Sequence, residues 1–194
     1  MLSVEHEEKG TNVALILVDV MKCFYDENGS AYYPESNETL PAIRELLSTA
    51  RSSNSMIVHS VERHFPDVLD HEQVKLPIHC VTGSLDCEYL EGLQPVFGPR
   101  EIEIPKRRFS AFLGTDLALV LHANGIRHVV IAGVKTNVCI RATTQDAFGH
   151  GFNAFVSREA TNSNRPHLME ASLEDISRYM GTVCSNEEAL KLMQ

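Results

Sequence analysis

The feature that most constrains this chain is an alternation. Apolar runs of five to seven residues, the first being Val13-Ala-Leu-Ile-Leu-Val18, are separated by stretches of helical periodicity. A run that is apolar at every position reads as a strand covered on both faces, and strands joined through helices pair in parallel. Residues 13–18, 56–61, 101–106, 129–132 and 153–157 supply five strands, and residues 182–193 a short sixth followed by a helix. Helices are expected over 39–53, 115–124, 139–150 and 168–180, with a long irregular stretch at 62–85. The expected fold class is α/β, a three-layer doubly wound sheet of six mainly parallel strands. Such sheets place their sites at the carboxyl ends of the strands.

At 194 residues and 43% apolar content, the chain suffices for one well-buried core and is short for two, so residues 1–194 read as a single domain. A formal charge of −9 repels phosphate backbones and anionic lipid surfaces, which argues against nucleic acid and membrane partners. No apolar run approaches the ~20 residues of a membrane span. Met1 to Lys9 is acidic where a secretion signal would be basic and then apolar, so a cytoplasmic protein is expected. Five cysteines without a CxxC pair fit neither a disulfide framework nor a thiolate zinc site.

Three strand ends carry chemistry. Asp19 closes the first run, Lys106 the third, and Cys139 opens the helix after the fourth. A switch point in the sheet would gather a carboxylate, an ammonium and a thiol, which is a nucleophile with its activators. Asn137 is expected to cap the helix, which would place the Cys139 thiol in its first turn, where the macrodipole and Lys106 should lower its pKa. The backbone N–H groups of Lys135 and Cys139 would form an oxyanion hole. Taken singly, each residue has an ordinary explanation, most of all the cysteine, since a free cysteine is more often a core filler than a nucleophile.

Three ordered motifs make the pattern specific. They are Val18-Asp19 after an apolar strand, Lys106-Arg-Arg-Phe-Ser-Ala-Phe112, and Gly133-Val-Lys-Thr-Asn-Val-Cys139 running on to Gly151. Together they resemble the isochorismatase-like cysteine hydrolases over residues 12–180, a family whose members include nicotinamidases, N-carbamoylsarcosine amidases and ureidoacrylate amidohydrolases. The resemblance implies a catalytic triad of Asp19, Lys106 and Cys139 and a non-proline cis peptide at Val134-Lys135. It also implies a homodimer or homotetramer, and attack on an amide carbon that forms a thioester with Cys139. A cysteine at 139 separates the chain from the family members that cleave vinyl ethers, which do not need this nucleophile.

Other family positions differ. Met21 stands where relatives often have glutamine, and Glu62-x-His64 replaces the Asp-x-His of nicotinamidases. His79-Cys-Val-Thr-Gly is similar to the stretch that gives nicotinamidases a metal-binding histidine. Glu62, His64, His71 and His79 would therefore suit a divalent cation, Zn, Fe or Mn, although no cofactor is required by the triad chemistry. Phe24 and Phe109 fall where relatives place pocket walls, and Arg108, Arg141 and Arg165 are candidates to hold a substrate carboxylate. The absence of tryptophan removes the usual indole wall of a nicotinamidase pocket. The expected substrate is a small linear amide or N-carbamoyl (ureido) compound, with a nicotinamidase as the first rival and a non-catalytic binding protein of the same fold as the second. A thiol redox protein is disfavoured because no resolving cysteine lies near Cys139 in sequence.

Overall fold

The computed structural model describes residues 11–194, so the acidic segment read above as unlike a secretion signal lies outside the described residues. Strands β1 (Val13–Val18), β2 (Met56–Glu62), β3 (Glu101–Lys106), β4 (His128–Val134), β5 (Asn153–Asn162) and β6 (Thr182–Cys184) form one sheet in the order β3-β2-β1-β4-β5-β6. Every pairing is parallel. The direction of winding reverses between β1 and β4, which is where a doubly wound sheet opens a crevice.

The helices are α1 (Lys22–Tyr25), α2 (Leu40–Ser52), α3 (Leu117–Ala123), α4 (Arg141–Gly149), α5 (Pro166–Tyr179) and α6 (Asn186–Met193). Alternate residues of β1 explain the layers. Val13, Leu15 and Leu17 face Ile43, Leu46 and Leu47 of α2 and Met193 of α6, while Ala14, Ile16 and Val18 face Leu117 of α3, Ala147 of α4 and Leu173 of α5. All six residues of β1 are buried because both faces are covered. No helix among the described residues is long and apolar enough to cross a membrane.

Two backbone features shape the crevice. Gly133, near the end of β4, has φ +118, and a Cβ built there would meet the Val18 carbonyl oxygen at 2.0 Å. Only glycine lets β4 approach β1 so closely beside Asp19. Asp19 itself has φ +57, a conformation few side chains other than Asn and Asp tolerate. Its N–H donates to the Ser60 carbonyl at 2.8 Å and its Oδ1 accepts from the Glu62 N–H at 3.0 Å, so β2 holds the strained residue in place.

Candidate active site

The carboxyl ends of β1, β2, β3 and β4 converge. Lys106 Nζ lies 2.8 Å from Asp19 Oδ2, 3.6 Å from Glu62 Oε2 and 3.7 Å from Cys139 Sγ. All four residues are buried, with Cys139 the most accessible at 4%. Strands β1 and β3 are not neighbours. Lys106 reaches Asp19 past β2, and Glu62, its register partner at the end of that strand, joins the cluster.

The electrostatics also differ from the sequence-based expectation. Burial pushes the Cys139 thiol well above its ordinary value; Lys106 pulls it down, but Asp19 and Glu62 push with the burial. Desolvation likewise raises Asp19 against the pull of Lys106. Burial alone would lower Lys106, yet the surrounding Asp19, Cys139 and Glu62 outweigh it and hold the ammonium firmly charged. The site thus sets a charged ammonium beside a buried carboxyl and a buried thiol, the group types that nucleophilic catalysis by sulfur uses.

Asn137 does not cap a helix. Backbone from Thr136 to Ile140 makes a wide turn of π geometry before α4, its N-terminal residue is Lys135, and no side chain caps it. The Lys135 carbonyl accepts from Val138 N–H at 3.0 Å and Ile140 N–H at 3.2 Å, leaving the Cys139 N–H between them outside that pair. The Val134-Lys135 peptide is cis. Lys135, Asn137, Val138 and Cys139 of this turn all line the crevice.

A cavity of about 590 Å³ opens above Cys139, lined by Phe24, Glu62, His79, Phe109, Lys135 and Arg141 among others. Three of the five expected substrate-contact residues therefore reach it. Arg108 does not; it pairs with Asp70 at 2.9 Å. Arg165 is exposed and lies outside the lining, although its charge is felt by Lys135. Met21 is fully buried in the core, so it makes no wall of the cavity.

Next to Asp19, Lys106 and Cys139, the side chains of Glu62, His64, Glu72 and His79 bring their donor atoms within 4.8 Å of one another. His71, the expected third imidazole, is instead exposed, and its neighbour Glu72 turns inward. The cause is local. Asp70 and Gln73 form a capping box around a short 3₁₀ turn over His71–Val74, which points position 72 at the cluster. That pattern, Asp70-x-x-Gln73, is the signal in the sequence that could have revealed Glu72. Glu62 Oε1 lies 2.8 Å from His64 Nε2 and 2.9 Å from His79 Nε2. Both Glu72 oxygens are buried without a hydrogen-bond partner, and burial, aided by Glu62, pushes this carboxyl up to about 7. Two imidazoles, a carboxylate between them and an unsatisfied second carboxylate suit a divalent cation in charge and donor type.

The sequence matches the isochorismatase domain family over residues 13–188. Maleamate amidohydrolase from Pseudomonas putida is 32% identical over 190 residues, covering 95% of this chain and 88% of that protein. An isochorismatase-like hydrolase from Alkaliphilus metalliredigens superposes with a TM-score of 0.86 at 27% identity, covering 95% of this chain and all of that one (100%). Pyrazinamidase from Pyrococcus horikoshii, solved in complex with zinc, superposes with a TM-score of 0.80 at 28% identity, covering 90% and 99% of the two chains.

Proposed function

The chain belongs to the isochorismatase domain family, and from that premise we propose that it is a cysteine-dependent amidohydrolase working through Asp19, Lys106 and Cys139. Relatives with named activities are amidohydrolases, and this chain is an enzyme of their class, a hydrolase of carbon–nitrogen bonds other than peptide bonds. The observation that carries the finer reading is the buried cluster in which one ammonium faces a carboxylate at 2.8 Å and a thiol at 3.7 Å on the floor of a cavity.

The proposed reaction runs in two halves. Asp19 takes the Cys139 proton as the sulfur attacks the amide carbon, and Lys106 keeps its charge throughout and stabilises the thiolate. The backbone N–H groups of Lys135 and Cys139 receive the oxyanion. Asp19 then gives its proton to the leaving nitrogen, ammonia departs, and a thioester remains on Cys139. Water, deprotonated by the same carboxylate, attacks the thioester and frees the acid. The substrate is a small linear amide or N-carbamoyl compound, in keeping with the linear amide in the name of the Pseudomonas putida relative.

Glu62, His64, Glu72 and His79 would hold a divalent cation beside the triad, and the pyrazinamidase relative was itself solved in complex with zinc. When bound it would act as a Lewis acid toward water or a substrate nitrogen. The second reading, a metal-assisted amidase of the nicotinamidase type, is favoured by this one cluster. Assaying ammonia release from maleamate, ureido acids and nicotinamide, with and without added Zn²⁺, separates the two. Turnover of linear amides by wild type with loss in Cys139→Ala supports the first reading, and turnover of nicotinamide alone supports the second.

A further inference from the structure

The cavity above Cys139 is lined by cations that carry counter-charges, with one exception. His79 Nε2 lies 2.9 Å from Glu62 Oε1, and Arg141 Nη2 lies 2.9 Å from Asp175 Oδ2. Lys135 also lines the cavity, yet among the described residues its ammonium makes no salt bridge and no side-chain hydrogen bond. Its Nζ instead sits 4.8 Å from the centroid of the Tyr33 ring. That ring is itself fixed, because Tyr33 is 4% exposed and its hydroxyl donates to Asn162 Oδ1 at 2.8 Å at the end of β5. The ammonium is therefore steered to one place, with an aromatic face on one side and the cavity on the other.

A half-buried charge without a counter-ion is unfavourable in the free protein and becomes favourable once an anion enters. Desolvation lowers the Lys135 pKa and the positive charge of Arg165 adds to this, while Cys139 and Cys23 oppose it. We propose that the Lys135 ammonium receives a carboxylate of the substrate, so that the enzyme selects short amides whose acyl portion is itself anionic, such as monoamides of small dicarboxylic acids. The position limits the length. Lys135 and Cys139 belong to one turn and share a cavity of about 590 Å³, so the carboxylate and the scissile carbonyl are separated by a few bonds. A single ammonium matches a single negative charge, and Arg141, the other strong cation on the wall, is already engaged. This assignment rests on the reading of Cys139 as the nucleophile.

Iodoacetate and iodoacetamide attack the same thiol, each losing iodide to sulfur, and differ only in charge. The test compares their rates at Cys139, read by peptide mass, in wild type, Lys135→Met and Lys135→Arg. The expected result is that the iodoacetate-to-iodoacetamide ratio falls about tenfold or more in Lys135→Met, the scale of a lost charge-assisted contact, and stays high in Lys135→Arg. With succinamate and butyramide as amides, the kcat/KM ratio shifts the same way, chiefly through KM. In the wild type alone, succinate protects Cys139 from iodoacetamide better than butyramide does at equal concentration. Labelling of Cys139 by both reagents with a ratio within about twofold of wild type in Lys135→Met, or equal protection by the two compounds, overturns the role of Lys135 and leaves the nucleophile standing. Failure of both reagents to label Cys139 in folded wild type removes the nucleophile and this assignment together.

Discussion

Lys106 Nζ lies 2.8 Å from Asp19 Oδ2 although the two residues end strands separated by β2. The pair is wholly buried, so neither member can turn to water if the other is removed. Lys106→Met should leave Asp19 and Glu62 as buried carboxylates without their cation and cost about 3–5 kcal/mol in urea unfolding. Adding Asp19→Asn should recover part of that loss, because the two substitutions share one interaction. Amidase activity should fall at least about 10³-fold in either variant. Additive destabilisation would show that the pair is not coupled.

The Cys139 thiol is held above the ordinary thiol range chiefly by burial, against the pull of Lys106. Its reaction with neutral iodoacetamide should therefore climb steadily with pH and show no plateau by about pH 9, above the reference thiol value of about 8.5. Lys106→Met should displace the curve further upward. A plateau below about pH 8 would mean that a thiolate already exists in the resting site.

The four donors around Glu62 give a prediction that does not depend on turnover. Protein produced in zinc-supplemented medium and desalted without chelator should carry close to one equivalent per chain by elemental analysis. His79→Ala should bind zinc at least about tenfold more weakly. Glu72→Gln should weaken binding as well, since it removes the carboxylate that is buried without a partner. Metal content far below one equivalent would leave the imidazoles as hydrogen-bond donors to Glu62.

A pair outside the site also contributes to acid stability. His59 Nε2 lies 2.9 Å from Glu101 Oε1, which also accepts from Arg51 Nη2 at 2.7 Å. Burial lowers His59 more than Glu101 raises it. Burial would raise Glu101, but Arg51, the Val96 N–H and His59 outweigh it and lower it. Both groups bind protons more readily unfolded than folded, so stability rises with pH and is lost on acidification. The loss should begin as pH falls below the usual histidine range near 6.5 and deepen through the carboxylate range. Glu101→Gln should lower stability at pH 7 and flatten the lower part of this curve in thermal melts.

The strands were legible because runs such as Val13–Val18 are buried on both faces and carry no polar interruption. The candidate positions Asp19 and Cys139 stood out because each comes after such a run, whereas Lys106 ends a strand interrupted by Glu101 and Glu103. Four things were not legible. Glu62 and Lys106 come together through strand order, and the residues of β2 do not announce that β2 lies between β1 and β3. The state of the thiol depends first on how deeply it is buried, with Lys106 pulling its pKa down and Asp19 and Glu62 pushing it up, rather than on the helix that follows. Glu72 displaced His71 because a capping box decided which of two adjacent side chains turns inward. The side chain of Lys135 escaped notice for a similar reason. Its partner, Tyr33, lies far away in sequence, before α2, and is aimed by Asn162 from β5.

In the proposed reaction Cys139 becomes acylated during turnover. Protein quenched in acid while hydrolysing maleamate, then digested and weighed by mass spectrometry, tests it most directly. The peptide bearing Cys139 should gain the mass of the substrate less ammonia, and the Asp19→Asn variant should fail to accumulate it. An unmodified Cys139 peptide at every quench time, in protein that still forms product when Cys139 is replaced by alanine, would contradict it.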